Sequence, residues 1–157
     1  MKSNHYTHSL YYKLLIGYFI TIATISSEMT YHHLVERESE VLYDEATMIA
    51  DRCSKAYEGK TINLDSAYPQ IEAVSAYLQS DIWILNHEGT IVADSSDSRT
   101  GIAINDFDPT AQGNRLYSIG QYYNLFDSKV LSVSAPITGN MKTYGYIVIH
   151  MPIQNIE

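Results

Sequence analysis

The sequence has little cysteine, proline or basic charge, and each shortage excludes a class of protein. One cysteine in 157 residues excludes an internal disulfide framework and every multi-cysteine zinc or iron–sulfur site. With 4 prolines and 8 glycines in no repeating order, the chain is neither collagenous nor of low complexity. The net charge of −8 argues against a nucleic-acid partner, because neutralising phosphate requires clustered lysine and arginine. The length suits one ordinary domain plus an appendage.

Catalytic signatures are missing as well. The sequence has no Gly-x-Ser-x-Gly nucleophile elbow, no phosphate-binding loop, no Gly-x-Gly-x-x-Gly motif and no His-Glu-x-x-His motif. We therefore expect a non-enzymatic chain with no catalytic residue, no metal site and no cofactor.

The charges divide the chain into two parts. Residues 1–27 contain Lys2 and Lys13 and no acidic residue, so all 18 acidic residues and the other 8 basic ones lie in 28–157. That second part has a balance of −10. A basic end followed by an acidic body predicts a membrane topology with the basic end in the cytoplasm and the body outside.

Residues 14–27 carry no charge and follow a tyrosine-rich, basic start. As a helix they would measure about 21 Å, which is short of the roughly 30 Å hydrocarbon core of a bilayer. An uncleaved N-terminal anchor is the favoured interpretation. A cleaved signal peptide and a buried helix of a soluble protein are the alternatives.

A long amphipathic helix is predicted from Glu28 to about Glu58, where Gly and Pro are absent. Its apolar stripe repeats every seven residues through Val35, Leu42, Ile49 and Ala56, with Ala46 and Cys53 beside it, and Gly59 is a plausible stop. The stripe either packs on the domain's own sheet or forms a homodimer seam on the long helix.

A second helix over 66–79 and five strands follow. The strands are predicted at 82–85, 91–93, 116–125, 129–137 and 144–151, with a turn at 86–90 and a long polar loop at 94–115. This order predicts an α+β domain in which both helices pack on one face of a five-stranded antiparallel sheet.

The other sheet face is predicted to carry small, polar and tyrosine side chains under the long loop, which makes a reasonable small-molecule pocket. Candidate ligand-binding residues there are Tyr122, Ser132, Ser134 and Tyr146. Strict strand alternation would let only one of Tyr122 and Tyr123 reach a ligand.

Arg99 is the fifth candidate, since it is the only basic residue between Lys60 and Arg115. Its guanidinium could hold a carboxylate ligand in a bidentate contact. Pairing with Asp94 or Asp97 is the alternative. For those two aspartates, turn and cap chemistry is favoured over calcium binding, because the order of ligands in an EF-hand loop is absent.

The chain resembles the extracytoplasmic PDC or single-Cache sensor domains, a PAS-like class found in bacterial membrane histidine kinases. The resemblance covers nearly the whole sequence and rests on the order of its segments. These are LYYKLL (10–15), EATMIA (45–50), DIWILN (81–86) with Gly89, IVADSS (91–96), VLSVSAPI (130–137) and YGYIVIHMP (144–152).

The resemblance implies a domain layout. Residues 1–27 would be a cytoplasmic N-terminus with a short transmembrane anchor, and residues 28–157 an extracytoplasmic sensor domain with a PAS-like sheet. An unknown small molecule would bind the loop-covered face, and a homodimer through the long helix would pass its motion across the membrane. A kinase domain would belong to a larger parent protein. The alternatives are a non-catalytic dimerisation or protein-interaction module, or the input domain of a cyclase or chemoreceptor.

Overall fold

The structure, a computed structural model, describes residues 4–55, 57–58, 61–62, 64–110 and 116–156. The chain forms two compact units, Met1–Glu36 and Arg37–Glu157.

Helix α1 runs from Asn4 to Lys55 and is therefore longer at its start than the predicted amphipathic helix. Within the second unit its apolar stripe is buried: Leu42, Ala46, Ile49 and Cys53 are each at most 7% exposed. Of the two alternatives for the stripe, this burial favours packing against the domain's own sheet. It also raises the pKa of the Cys53 thiol to about 11, so the thiol stays protonated and unreactive. Ala56 and Gly59 lie outside the described residues.

After α1 come two short paired strands, β1 (Tyr57–Glu58) and β2 (Thr61–Ile62), which the sequence did not predict. Helix α2 spans Leu64–Leu78 and begins two residues before the predicted start. The main strands are β3 (Asp81–Asn86), β4 (Ile91–Asp94), β5 (Tyr117–Gly120), β6 (Val130–Gly139) and β7 (Lys142–Pro152), and a 3₁₀ turn covers Ile153–Asn155.

The five main strands form one antiparallel sheet in the order β4-β3-β7-β6-β5. The predicted α+β class with a long helix, a second helix and a five-stranded sheet is confirmed. Strand β7 is central and requires a glycine at one point. A Cβ on Gly145 would overlap the backbone carbonyl oxygen of Leu85 on the neighbouring strand β3.

Residues paired across antiparallel strands share a sheet face, so the register assigns the two faces. One face is aliphatic: Ile84 pairs with Ile147, which pairs with Ala135, and all three are at most 1% exposed. Helix α1 lies against this side. Its Ser54 hydroxyl donates a hydrogen bond to the Thr138 carbonyl of β6.

Strand β5 is shorter than predicted. It ends at Gly120, and the chain then turns, with Tyr122, Tyr123 and Asn124 all in the left-handed region at φ of 34°, 52° and 59°. The prediction of a strand through residue 125 is therefore wrong. The alternation argument for the two tyrosines fails with it, because alternation holds only in extended backbone.

Candidate functional site

The second face of the sheet lies under the segment that follows β4. The pairs Trp83–Val148, Leu85–Tyr146 and Asp81–His150 place β3 and β7 side chains there, and the pair Ser132–His150 adds β6. This face is more apolar than the sequence suggested. Trp83, Leu85 and Val148 are fully buried in it and pack with Ile91 and Ile104.

The covering segment is attached to the β3–β4 hairpin by backbone hydrogen bonds. The Ile91 amide donates to the Ile102 carbonyl at 2.9 Å, and the Ile104 amide donates to the Gly89 carbonyl at 3.0 Å. Gly89 has a φ of 86°, and a Cβ on it would overlap the Phe107 ring. The hairpin glycine thus provides both the turn and the space in which Phe107 packs.

The Asp94 carboxylate organises the turn that carries Arg99. This carboxylate is completely buried and accepts hydrogen bonds from the backbone amides of Ser96, Ser98 and Arg99 at 2.9, 3.2 and 3.0 Å. Three amide donors satisfy a buried carboxylate. The turn-chemistry interpretation of Asp94 is confirmed, and the turn fixes where the Arg99 side chain begins.

The Arg99 guanidinium lies on an aromatic cluster. Its central carbon is 4.8 Å from the Phe126 ring centroid and 5.5 Å from that of Trp83, and these two rings stack at 5.2 Å. The nearest carboxylate is that of Asp81, at 3.9 Å, and the Leu125 carbonyl accepts a hydrogen bond at 3.4 Å. The side-chain ion pair is therefore with Asp81, and the suggested pairing with Asp94 or Asp97 is wrong.

His150 forms the base of the same cluster. Its ring lies 4.2 Å from Trp83 and 4.4 Å from Tyr122, and its Nδ1 shares a 2.8 Å hydrogen bond with the Ser132 hydroxyl. Burial, followed by the Arg99 charge, holds the pKa of His150 well below its ordinary value, so the imidazole is neutral. Three buried polar atoms have no hydrogen-bond partner among the described residues: Ser80 Oγ, Trp83 Nε1 and His150 Nε2.

Two recesses border this cluster. The first, of about 310 Å³, lies between the end of β5, strand β6 and the covering segment; it is lined by Phe107, Asp108, Pro109, Ser118, Ile119, Gly120, Tyr122, Tyr123 and Ser134. The second, of about 230 Å³, lies near the end of α2; it is lined by Ser75, Gln79, Ser80, Asp81, Phe126, His150 and Pro152. A Cβ on Gly120 would meet no atom within 4 Å, so this glycine leaves the first recess open.

The structure distributes the five predicted site residues around the cluster. Tyr122 and Ser134 line the first recess. Arg99 lies over Trp83 and Phe126, Ser132 is bonded to His150, and the Tyr146 ring contacts Phe107 at 5.4 Å. All five therefore lie on or above the same sheet face.

Sequence reasoning missed three prominent members of the site. Trp83, His150 and Phe126 were not among the predicted site residues, although period-two alternation already placed His150 beside Tyr146 on one strand face. The same alternation along β3 would have identified Trp83. Phe126 follows the left-handed turn, so no strand pattern indicated its position.

Several solved sensor and ligand-binding domains share this architecture. The ligand-binding domain of the Campylobacter jejuni chemoreceptor Tlp3, solved with 4-methylisoleucine, matches 82% of this chain with a TM-score of 0.61 at 14% identity. The sensor domain of the Vibrio cholerae histidine kinase DctB matches 94% with a TM-score of 0.54 at 14% identity. This chain has the PDC/Cache sensor-domain fold.

A third Cache-fold neighbour is the ligand-binding domain of the Pseudomonas fluorescens chemoreceptor CtaA, solved with L-serine. It matches 82% of the chain with a TM-score of 0.53 at 10% identity. The chain spans 57–59% of the length of these three structures. No protein-family model matches the sequence, and no curated protein matches it.

Proposed function

We propose that this chain is the non-catalytic, ligand-sensing part of a bacterial membrane sensor histidine kinase. The observation that carries the proposal is a sensor-domain fold with an open recess of about 310 Å³ under the segment that covers the sheet. Residues 1–27 would be the cytoplasmic N-terminus and anchor, and residues 28–157 the extracytoplasmic sensor. Kinase activity would belong to a larger parent protein.

Helix α1 supports the membrane part of the proposal. By length and composition it is the one helix among the described residues that could cross a bilayer, although a signal sequence would pass the same test. Its large apolar side chains from Leu10 to Ile25 are exposed. The hydroxyls of Thr21 and Thr24 donate to the carbonyls of Gly17 and Ile20 at 2.9 Å, so these polar groups need no water.

Ligand contact is assigned to the first recess. Tyr122 and Ser134 would touch the ligand directly. Arg99, Ser132 and Tyr146 would act from behind. Arg99 and Ser132 contact Trp83 and His150, whose rings pack on Tyr122, and Tyr146 contacts Phe107, which lines the recess. An interaction module without a small-molecule site would be expected to have this face filled, so the open recess favours a sensor.

Strand β6 offers a route from the recess to the helix. Ser134 lines the recess, while the next residue, Ala135, and Thr138 line a groove of about 280 Å³ against Thr47 and Asp51 of α1. A ligand that draws β6 toward the recess would change this groove and shift residues 37–55. Such a shift requires that the ligand bind more tightly to the arrangement with β6 drawn toward the recess than to the arrangement without ligand.

Dimerisation would use another side of the same helix. Val41 and Met48 lie seven residues apart in α1 and are 44% and 49% exposed, so they are available to a second copy.

The ligand site is tested with a panel of small metabolites and the full chain in nanodiscs. Binding is followed by thermal shift and by the fluorescence of Trp83, the only tryptophan. Gly120→Val should abolish binding while the protein stays folded, because its side chain enters open space. Thr143→Val, which places the same residue on an exposed position of β7, is the control. A ligand whose affinity is equal in both variants would show that the recess is not the site.

Signalling is tested by joining the chain to the catalytic half of a histidine kinase or to a chemoreceptor signalling domain. Both fusions are needed because the Cache-fold neighbours include both kinds of receptor. A ligand that stabilises the chain should change the output of at least one fusion, and Gly120→Val should remove that response. Unchanged output in both fusions would contradict the sensor proposal.

A further inference from the structure

Two polar atoms that belong to the lining of the second recess are buried without a hydrogen-bond partner. They are the Oγ of Ser80 and the Nε2 of His150, and the two residues are 5% and 1% exposed. Neither atom has a partner among the described residues. Because folded proteins seldom leave buried polar atoms unpaired, two of them on one recess indicate that a polar molecule binds there.

The turn that presents Ser80 does not use its side chain. Ser80 follows the end of α2, where Gln79 takes the left-handed conformation with a φ of 51°. The Ser80 amide donates to the Ser75 carbonyl at 3.2 Å, and the Ser75 hydroxyl donates to the Ser80 carbonyl at 2.7 Å. These two bonds fix the Ser80 backbone, so its hydroxyl can bond a ligand without disturbing the turn.

The His150 ring is held by its other nitrogen. Nδ1 shares a 2.8 Å hydrogen bond with the Ser132 hydroxyl, which can either donate or accept. Nε2 is therefore an acceptor in one tautomer of the neutral ring and a donor in the other. A ligand hydroxyl suits both tautomers and also suits the Ser80 hydroxyl, because it donates and accepts as well.

The wall of the second recess carries little net charge. Asp81 is the one formally charged residue among its described lining residues, and its half-buried carboxylate lies 3.9 Å from Nη1 of Arg99. Burial, followed by the charge of Asp94, raises the pKa of Asp81, whereas the Arg99 charge lowers it. Asp81 would repel an anion, and Arg99 already provides a cation for this carboxylate. An uncharged ligand whose hydroxyl donates to Asp81 fits this wall best.

We infer that the second recess is a further binding site, which takes a small uncharged polyol. Its hydroxyls would bond the Ser80 hydroxyl, the Asp81 carboxylate and the Nε2 of His150. Its carbon chain would contact Phe126 and Pro152, which also line the recess. At about 230 Å³ the recess is smaller than the sites of drug-sized ligands, as a small polyol requires.

This site goes beyond the proposed function, which uses the first recess. The two recesses have no lining residue in common among the described residues. The second recess lies where the chain leaves the sheet: Pro152 ends β7, and the Asn155 side chain donates to the Gln79 carbonyl at 3.2 Å. A bound polyol would therefore connect the end of α2 with the end of β7.

The test compares erythritol with 1,4-butanediol, which has the same carbon chain without the two inner hydroxyls. Both are titrated into the full chain in nanodiscs, with the histidines labelled with ¹⁵N. Binding is followed by the ¹⁵N shifts of His150, which are assigned with His150→Phe. Erythritol should bind about fivefold more tightly, because it alone can bond several of the recess's polar groups at once, and it should move the Nε2 shift more than the Nδ1 shift.

Three variants locate the binding. Ser80→Ala should weaken erythritol binding about fivefold without lowering the stability of the free protein, because the hydroxyl it removes has no partner there among the described residues. Ser128→Ala is the matched control, since Ser128 is exposed and lines neither recess, and it should change the affinity less than about twofold. Gly120→Val, which fills the first recess, should also leave erythritol binding in place.

Equal affinities for erythritol and 1,4-butanediol, or equal effects of the two serine variants, would overturn the polyol assignment. Tighter binding of threonate, the corresponding carboxylate, would overturn the uncharged class. Erythritol binding that Gly120→Val abolishes would belong to the first recess, and no erythritol binding at all would remove the second site. Neither of these last two results would contradict the proposed sensor function, because that function is tested with other ligands at the first recess.

Discussion

Ser132 and Ser134 look equivalent in the sequence, and the structure predicts opposite consequences for their removal. Both lie on the recess face of β6, two residues apart. Ser132 is 1% exposed and bonded to His150, which is also 1% exposed. Ser134 is only half-buried and lines the open recess.

Ser132→Ala leaves the Nδ1 of the buried His150 without its hydrogen-bond partner. His150 Nε2 already has none, so the ring would lose its one hydrogen-bond partner among the described residues. Leaving a buried polar group unsatisfied costs about 1–3 kcal/mol. Ser134→Ala should change the free energy of unfolding by less than about 0.5 kcal/mol, as is usual for accessible positions.

The measurement is urea denaturation of the full chain in detergent micelles, followed by Trp83 fluorescence. A third variant combines His150→Phe with Ser132→Ala and so replaces both partners with apolar groups. It should recover most of the free energy of unfolding that Ser132→Ala loses, because no buried polar atom of this pair is then left without a partner. The reasoning is refuted if Ser132→Ala costs no more than Ser134→Ala, or if the double variant is less stable than Ser132→Ala alone.

Three further predictions use the same denaturation assay. The pKa of His150 is held low in the folded chain and lies near 6.5 in the unfolded chain, so below about pH 6.5 only the unfolded chain gains this proton. Folding stability should therefore fall as pH drops from 7.5 to 5.5, and His150→Phe should remove about 1.4 kcal/mol of that loss over the whole interval, because the full slope is reached only well below pH 6.5; an identical pH dependence in the variant would contradict it. Gly145→Ala should destabilise the sheet by at least about 1–3 kcal/mol, because its Cβ overlaps the Leu85 carbonyl, whereas Gly120→Ala should be near neutral; equal effects would refute the backbone argument. Asp94→Asn should cost about 1–3 kcal/mol, since its amide group opposes three backbone donors, and a loss below about 0.5 kcal/mol would show that the turn does not depend on the carboxylate.

The elements with a clear period were predicted well. Leu131, Val133 and Ala135 alternate with Ser132 and Ser134, and that alternation gave both the strand β6 and its two faces. The stripe through Leu42 and Ile49 similarly predicted the buried side of α1, because a seven-residue repeat keeps one face of a helix apolar.

The errors occurred where backbone conformation departs from a regular period. The strand predicted through 125 ends at Gly120 because Tyr122, Tyr123 and Asn124 adopt positive φ, which neither tyrosines nor a hydrophobic pattern indicates. That turn allows both tyrosines to line the recess, against the alternation argument. It also brings Phe126 onto Trp83, a contact between residues 43 positions apart in the chain that no local pattern contains.

The sequence by itself determined the division of charge, the uncharged N-terminal run, the order of the two helices and five main strands, and the sheet face on which the first recess lies. Those properties follow from local composition and periodicity. Only the tertiary structure decided what each side chain does on that face. It paired Arg99 with Asp81, joined Ser132 to His150 and placed Asp108 beside an aromatic recess, because these contacts depend on strand register and on the path of the covering segment.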